Sequence, residues 1–244
     1  EPVHMERRRA LMDAFTADHL EEHRLFVKAL VKDKVDQFIH KGRTDLVQDL
    51  LWEVPLTVAL HFLGVPEDDM QELRQFAVAH TVNTWGRPTE QEQLAVAEGV
   101  GQFWQYSGRV LEKMKNHPAG EGWMYDMIAK NRIMPDVVTD NYLHSMMMAI
   151  MVAAHETTAL ASANAFKLIL SQRDIWQKLC DQPELIPSAV EECLRHSGSV
   201  VAWRRQATQN VTVNGVEFKQ GDKLFLVSAS ANHDEAHFEN ADDF

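Results

Sequence analysis

Apolar residues recur every three or four positions along most of the chain, the spacing that gathers them on one face of an α-helix. Leu20, Leu25, Phe26, Leu30, Val31, Val35, Phe38 and Ile39 form the first clear stripe. They predict a helix that Thr16 or Asp18 caps and that Gly42 follows. A second helix is expected over 45–62, kinked at Pro55, which lacks a backbone donor and crowds the preceding turn. Gly64-Val65-Pro66 breaks the chain before a third helix, expected over 68–84. Gly86-Arg87-Pro88 is a turn. Thr89 and Glu92 have the spacing of a capping box and open a helix toward Lys115. His117-Pro118-Ala119-Gly120 is a loop, and a short helix is expected over 123–130. Thr139 or Asp140 starts the longest helix, reaching about residue 171, with shorter helices near 174–180 and 187–196.

The pattern changes after Ser197. The segments 211–213 and 216–218 flank Asn214-Gly215, a pair that favours the turn with two positive φ angles, so a β-hairpin is expected. A further strand is expected over 223–227. There is no internal repeat. The fold class is mainly α, with a small β region near the end of the chain.

Composition adds bounds. The 244 residues suffice for one large domain or two small ones, and 45% hydrophobic with 25% charged residues suits a folded soluble protein. The formal net charge of −12 repels phosphate backbones and anionic headgroups, so neither nucleic acid nor membrane is expected as a partner. The most apolar run, 146–154, ends at His155-Glu156 and is too short to cross a bilayer, so it reads as a buried helix segment. Two cysteines, Cys180 and Cys193, with no CxxC pair and no recognisable signal peptide, fit a reducing cytoplasm. The chain starts at Glu1-Pro2 and stops at Phe244 in mid-pattern, and the expectation is that both ends belong to something longer.

Four constellations carry candidate chemistry. In the longest helix, Ala153-Ala154-His155-Glu156-Thr157-Thr158 offers a shallow surface where a flat cofactor or small ligand can approach the backbone. Burial there would raise the pKa of Glu156 toward a proton donor's range. Thr157 can bond back to a carbonyl one turn earlier or present its hydroxyl to a ligand. The second is Glu192 and Arg195, three apart on one helix face. The third is His4 and Arg8, four apart, a pair suited to a carboxylate or phosphate, or simply a solvated basic helix start. The fourth is Trp203-Arg204-Arg205-Gln206-Ala207, either a further anion-binding arginine or plain surface. His155-Glu156 is not a zinc HExxH motif, because position 159 is Ala. His233 and His237 have helical spacing and could bind a metal, although their surroundings read as an irregular turn. There is no Gly-rich phosphate loop and no GxSxG elbow.

In order and spacing, the series resembles the cytochrome P450 family. It runs from Ala-Ala-His-Glu-Thr-Thr to Glu-x-x-Arg about 35 residues on, then Arg-x-Ala, the Asn-Gly hairpin, and Ala231-Asn232-His233-Asp234 with Phe238. The stretches 84–89 and 142–158 look most like the bacterial self-sufficient subgroup, in which the haem domain is fused to a reductase carrying FMN and a 2Fe–2S cluster. The resemblance implies a P450 fold, here as a partial haem domain over 1–244 that lacks the family's N-terminal β region and its cysteine loop. It implies haem b (iron protoporphyrin IX), with His4, Arg8 and Arg205 on the propionates and Ala153 and Ala154 over the ring. Glu156 and Thr157 would deliver protons to the oxygen being activated, and Glu192 with Arg195 would be a structural pair. Val82, Trp85, Ile150, Val200, Val201 and Ala202 would line the substrate pocket. The family often has Gly where Ala154 stands, and the added methyl would narrow the oxygen groove. The thiolate ligand is expected in a loop after Phe244; Cys180 and Cys193 lack that context.

The implied activity is a monooxygenase that inserts one atom of O2 into a small organic substrate. NAD(P)H would supply electrons through a fused reductase or a ferredoxin-type donor, in the cytoplasm. Two other readings stand beside it: a haem-free helical binding or scaffold protein, and a helical metalloenzyme using His233 and His237.

Overall fold

The computed structural model describes residues 2–12, 15, 17–66, 68–69, 86–117 and 119–244, apart from the side chains of residues 17–19 and 22. The chain divides into two compact units, Glu1–Ala159 and Leu160–Phe244. Among the described residues, the first is helical. It comprises α1 (Pro2–Met12), α2 (Ala17–Phe38), a 3₁₀ turn (Ile39–Lys41), a π turn (Val47–Leu51), α3 (Glu53–Leu63), α4 (Glu90–Asn116) and α5 (Trp123–Ile133). It ends within α6 (Asp140–Ser171), which runs on into the second unit. The second adds α7 (Arg173–Asp181), a 3₁₀ turn (Pro183–Leu185), α8 (Ile186–Ser197) and α9 (Ser228–Ala231). Its strands are β1 (Trp203–Gln206), β2 (Val211–Val213), β3 (Val216–Phe218) and β4 (Lys223–Leu226).

The helices form where the pattern places them, and their ends show why. Thr89 accepts from the Glu92 N–H while the Glu92 carboxylate accepts from the Thr89 N–H, so the capping box opens α4. Thr139 Oγ1 accepts from the Tyr142 N–H at the start of α6. Gly42 and Gly64 end their segments with left-handed φ of 72° and 75°. The break expected at Pro55 falls earlier. The chain passes from the π turn through Trp52 into α3, and Pro55 sits in the first turn of α3, where its missing donor costs little. Thr16 and the helix expected over 68–84, apart from residues 68 and 69, lie outside the described residues.

One core holds the first unit together. Phe103 and Met114 of α4, Met124 and Met127 of α5, and Leu60 and Leu63 of α3 are all but fully buried. From α6 come Leu143, Met147, Met151, His155 and Ala159, four residues apart, so one ridge of that helix faces inward. As a whole α6 is long and apolar enough to cross a membrane, a test the 146–154 run alone fails. Leu143, Met147 and Met151 of its buried ridge belong to the core of this unit.

In the second unit β2 and β3 form the expected hairpin, with Asn214 at φ 51° and Gly215 at φ 80°. β4 pairs antiparallel with β1, Trp203 opposite Leu226 and Gln206 opposite Lys223. The segment 203–206, for which the pattern predicts no element, is a strand. Pairing with a partner some twenty residues on leaves no local mark, because the edge strand is exposed on every residue.

Candidate functional site

The candidate residues fall on both units, and each unit is described by itself. In the first, His155 fixes the rotation of α6. Its ring is buried, its Nε2–H donates to the Trp52 carbonyl at 2.8 Å, and it meets the Trp52 ring edge-on at 4.5 Å. Nδ1 is then a bare acceptor, buried without a hydrogen-bond partner. With His155 turned inward, Ala153, Thr157 and Thr158 are exposed and Ala154 and Glu156 are half-buried. Thr157 Oγ1 donates to the Ala153 carbonyl at 2.6 Å. That bond leaves the hydroxyl oxygen able to accept, beside two methyl-sized side chains. Ile150 packs partly buried against the core; Val82 and Trp85 lie outside the described residues.

The α1 helix is docked by a residue that pattern did not single out. Arg7 Nε donates to the Val137 carbonyl at 3.0 Å and its guanidinium lies 5.0 Å over the Tyr142 ring. Lys130 Nζ donates to the Ala10 carbonyl from α5. Arg7 thus holds the helix while His4 and Arg8 stay exposed on it. In a run of three arginines no local feature distinguishes the anchor from the free residue.

In the second unit Arg195 uses all five of its donors. Nε and Nη2 grip the Glu192 carboxylate at 2.8 and 2.6 Å. Nη1 donates to the carbonyls of Asn232 and Ala241, and Nη2 to that of Asp243. The guanidinium also lies 5.2 Å from the Phe238 ring centroid. Arg195 holds Glu192 below the usual carboxylate range through their hydrogen bond. The pair therefore pins the segment 232–243 onto α8. Arg195→Lys, with three donors in no planar fork, should release that segment. Hydrogen exchange should show 232–243 losing protection while the amides of α4 keep theirs.

Arg205 is exposed on β1, its Nη1 donating to the Arg204 carbonyl and its guanidinium 5.6 Å from the Trp203 ring centroid. Val200 is half-buried, Val201 is 58% exposed, and Ala202 is buried within its unit at 2%. Cys193 is buried in α8, where burial and then Glu192 push its thiol up, so it stays a protonated thiol and a poor metal ligand. Cys180 is exposed. His233 gives Nδ1 to the Ala229 carbonyl and its ring meets His196, and 233–238 is a series of turns. Among the described residues no three His, Cys, Asp or Glu side chains gather as a metal site.

Burial also sets a pH dependence. It lowers the pKa of His155, against the opposing Trp52 carbonyl and Glu156, and it is the main cause of the lowered values of His61 and His144. The unfolded chain takes up these protons near the ordinary value of 6.5, the folded unit only at lower pH. Stability is therefore complete above pH 6.5 and falls as the pH drops from there through the folded values. Urea unfolding from about pH 8 down to about pH 5 should show this loss. His155→Gln, which keeps a donor for Trp52 but does not titrate, should flatten part of it; an unchanged slope would clear His155 of the effect.

Comparison with known proteins bears on the family. A Cytochrome P450 family profile matches residues 180–244. Nocardicin C N-oxygenase of Nocardia uniformis subsp. tsuyamanensis is 32% identical over 99% of this chain and 59% of its own. The haem domain of CYP116B5 from Acinetobacter radioresistens is 80% identical with a TM-score of 0.94, over 100% of this chain and 59% of its own. Over its whole length the chain is similar to cytochromes P450. Within that family it is most like the self-sufficient subgroup. A crystal structure described as an intact type IV self-sufficient cytochrome P450 monooxygenase is 61% identical with a TM-score of 0.96, over 100% of this chain and 32% of its own. The chain spans between 59% and 61% of the length of the first curated P450 relatives it matches.

The family implies haem, and the residues present fit it. A broad flat ring needs a surface of small side chains, and α6 offers exposed Ala153 beside half-buried Ala154. Its two carboxylates need cations or donors that are not already engaged in the core. Within the first unit, His4 and Arg8 are exposed on α1.

Proposed function

We propose that the chain is part of a haem-dependent monooxygenase that inserts one atom of O2 into a small organic substrate. The observation that carries this reading is the Thr157 hydroxyl on the Ala153 carbonyl, exposed beside Glu156 on a face of small residues. When bound, thiolate-ligated haem supplies the oxygen activation. This chain's own residues would do the rest. His4, Arg8 and Arg205 hold the propionates. Ala153 and Ala154 let the ring approach the helix backbone. The Thr157 oxygen would accept a hydrogen bond from water and pass on a proton that Glu156 resupplies. Glu192 and Arg195 keep the segment after α9 in place.

Val200, Val201 and Ala202, with Ile150 and the outlying Val82 and Trp85, are the proposed substrate-facing residues. The electron source is proposed to be NAD(P)H through an FMN and 2Fe–2S reductase, as the likeness to a self-sufficient enzyme supports. A cytoplasmic location is part of the same proposal. The test is the carbon monoxide difference spectrum of the full-length protein. The red-shifted Soret band of thiolate-ligated haem is expected. Stoichiometric haem without that band would overturn the proposal.

A further inference from the structure

In the first unit, the last turns of α4 and the first turns of α6 enclose an open groove of 680 Å³, a volume within the range of small-molecule sites. A Cβ on Gly108 would lie 3.0 Å from His144 Cε1, so the bare backbone there lets the His144 ring lie against α4. The ring stacks on Trp104 with centroids 3.5 Å apart, and its Nε2–H donates to the Trp104 carbonyl at 2.7 Å. His144 is thereby a fixed wall of the groove. Leu111 and the stems of Lys113 and Lys115 supply apolar lining. Three cationic side chains and two carboxylates line the groove, on a chain whose net charge is −12. Most of these charges neutralise one another. Lys115 Nζ donates to Glu112 at 2.9 Å and to Asp140 at 3.0 Å, and Lys113 Nζ donates to Asp69 at 2.8 Å. Arg109 is the exception. Among the described residues no carboxylate pairs with it and none of its N–H groups makes a hydrogen bond. Its guanidinium lies 5.1 Å over the Tyr106 ring, a contact that orients the planar fork without using its donors. The side-chain amides of Gln105, Asn116 and Asn141 line the same groove and are also unengaged among the described residues. An oriented guanidinium with free donors, amide donors and an adjacent apolar lining together match an organic molecule that ends in an oxyanion.

We propose that this groove binds a small organic anion, a carboxylate or a phosphate monoester, whose oxygens the Arg109 fork grips while its apolar part lies along Leu111. The site is separate from the haem-facing residues, so its test needs no turnover. Asn141 precedes Ala153 by twelve residues, about 18 Å along α6. The full-length protein is titrated by calorimetry with hexanoate, hexyl phosphate and inorganic phosphate, each alone. At least one of the two alkyl anions should bind, one per chain, at least tenfold more tightly than inorganic phosphate, and the tighter of the two identifies the head group. Arg109→Gln should weaken that binding at least tenfold, and Arg109→Lys should weaken it less. Arg109 is exposed, so neither substitution opens a cavity in the core. Arg173→Gln, which removes the same charge from an exposed position on α7, should leave binding unchanged. No saturable binding of either alkyl anion would overturn the proposal. So would binding indifferent to Arg109→Gln, binding weakened equally by Arg173→Gln, or inorganic phosphate bound as tightly as the alkyl anions.

Discussion

Gly122→Ala should destabilise the first unit by about 3 kcal/mol or more, a large share of the 5–15 kcal/mol that holds a typical domain together. Gly122, just before α5, has φ 126°, a conformation that L side chains rarely adopt. A Cβ there would lie 2.6 Å from the Gly64 Cα and N and 2.9 Å from the Leu63 carbonyl carbon. These are backbone atoms and cannot rotate away. The reverse holds as well. A Cβ on Gly64, at φ 75°, would lie 2.1 Å from the Glu121 carbonyl oxygen. The two glycines are the point at which the end of α3 and the start of α5 touch backbone to backbone. Leu60, Leu63, Trp123 and Met124 bury their side chains on either side of it. Opening this contact by even an ångström would unpack the core around it. Gly101 in α4 is the control. A Cβ there meets nothing within 4 Å, so Gly101→Ala should stabilise by about 0.5–1 kcal/mol. Urea unfolding of the three proteins checks both signs. Equal midpoints for Gly122→Ala and the unsubstituted chain would show that the contact is not made.

Thr157→Ala in the full-length, haem-loaded protein should reduce product formed per NAD(P)H consumed by about tenfold or more, toward the 10²–10⁴ scale of a positioned proton donor. Haem content and reductant consumption should persist. The side chain is exposed, so its loss opens no cavity in the core. Its hydroxyl has two roles to separate. One is structural: the bond to the Ala153 carbonyl competes with the helix ladder and loosens that turn. The other is the proposed chemical role: an oxygen that accepts and passes on a proton. Thr157→Val removes both while keeping the branched shape, and Thr157→Ser keeps both. Glu156→Gln leaves the Thr157–Ala153 bond in place and changes only the proton supply. If Glu156→Gln shifts the pH dependence of coupling while Thr157→Ser restores it, the proton-delivery role stands. Coupling unchanged in Thr157→Ala would remove it.

Several elements and motifs were legible in the chain because the interactions that make them are local. The capping box at Thr89 and Glu92 and the Asn214-Gly215 turn are set within four residues. The start of α6 beside Thr139 is read the same way. The Glu192–Arg195 pair needs only one helical turn. The family resemblance adds to this, since it depends on the order and spacing of such local motifs.

Other features depend on pairs far apart in the chain. Arg7 docks α1 on the Val137 carbonyl 130 residues away, yet it looks no different from Arg8 or Arg9. His155 is read as half of a failed zinc motif, whereas its donor bond to Trp52, 103 residues earlier, orients the whole candidate face. β1 has no counterpart in the sequence pattern because its partner β4 supplies the ladder from outside any local window. Arg195 was expected to hold Glu192, but the three carbonyls it also holds come from 37 to 48 residues on.

By itself, then, the sequence determined the helical class, the positions of the α4 and α6 caps, the hairpin and the order of the P450 motifs. These follow from backbone torsions, caps and periodicities that act within a few residues. Only the tertiary structure decided which arginine anchors α1 and which way α6 is turned. It also decided that Arg195 is a five-bond hub. Those outcomes depend on which distant carbonyls and rings packing brings within hydrogen-bond or contact range, and no short window of residues encodes that.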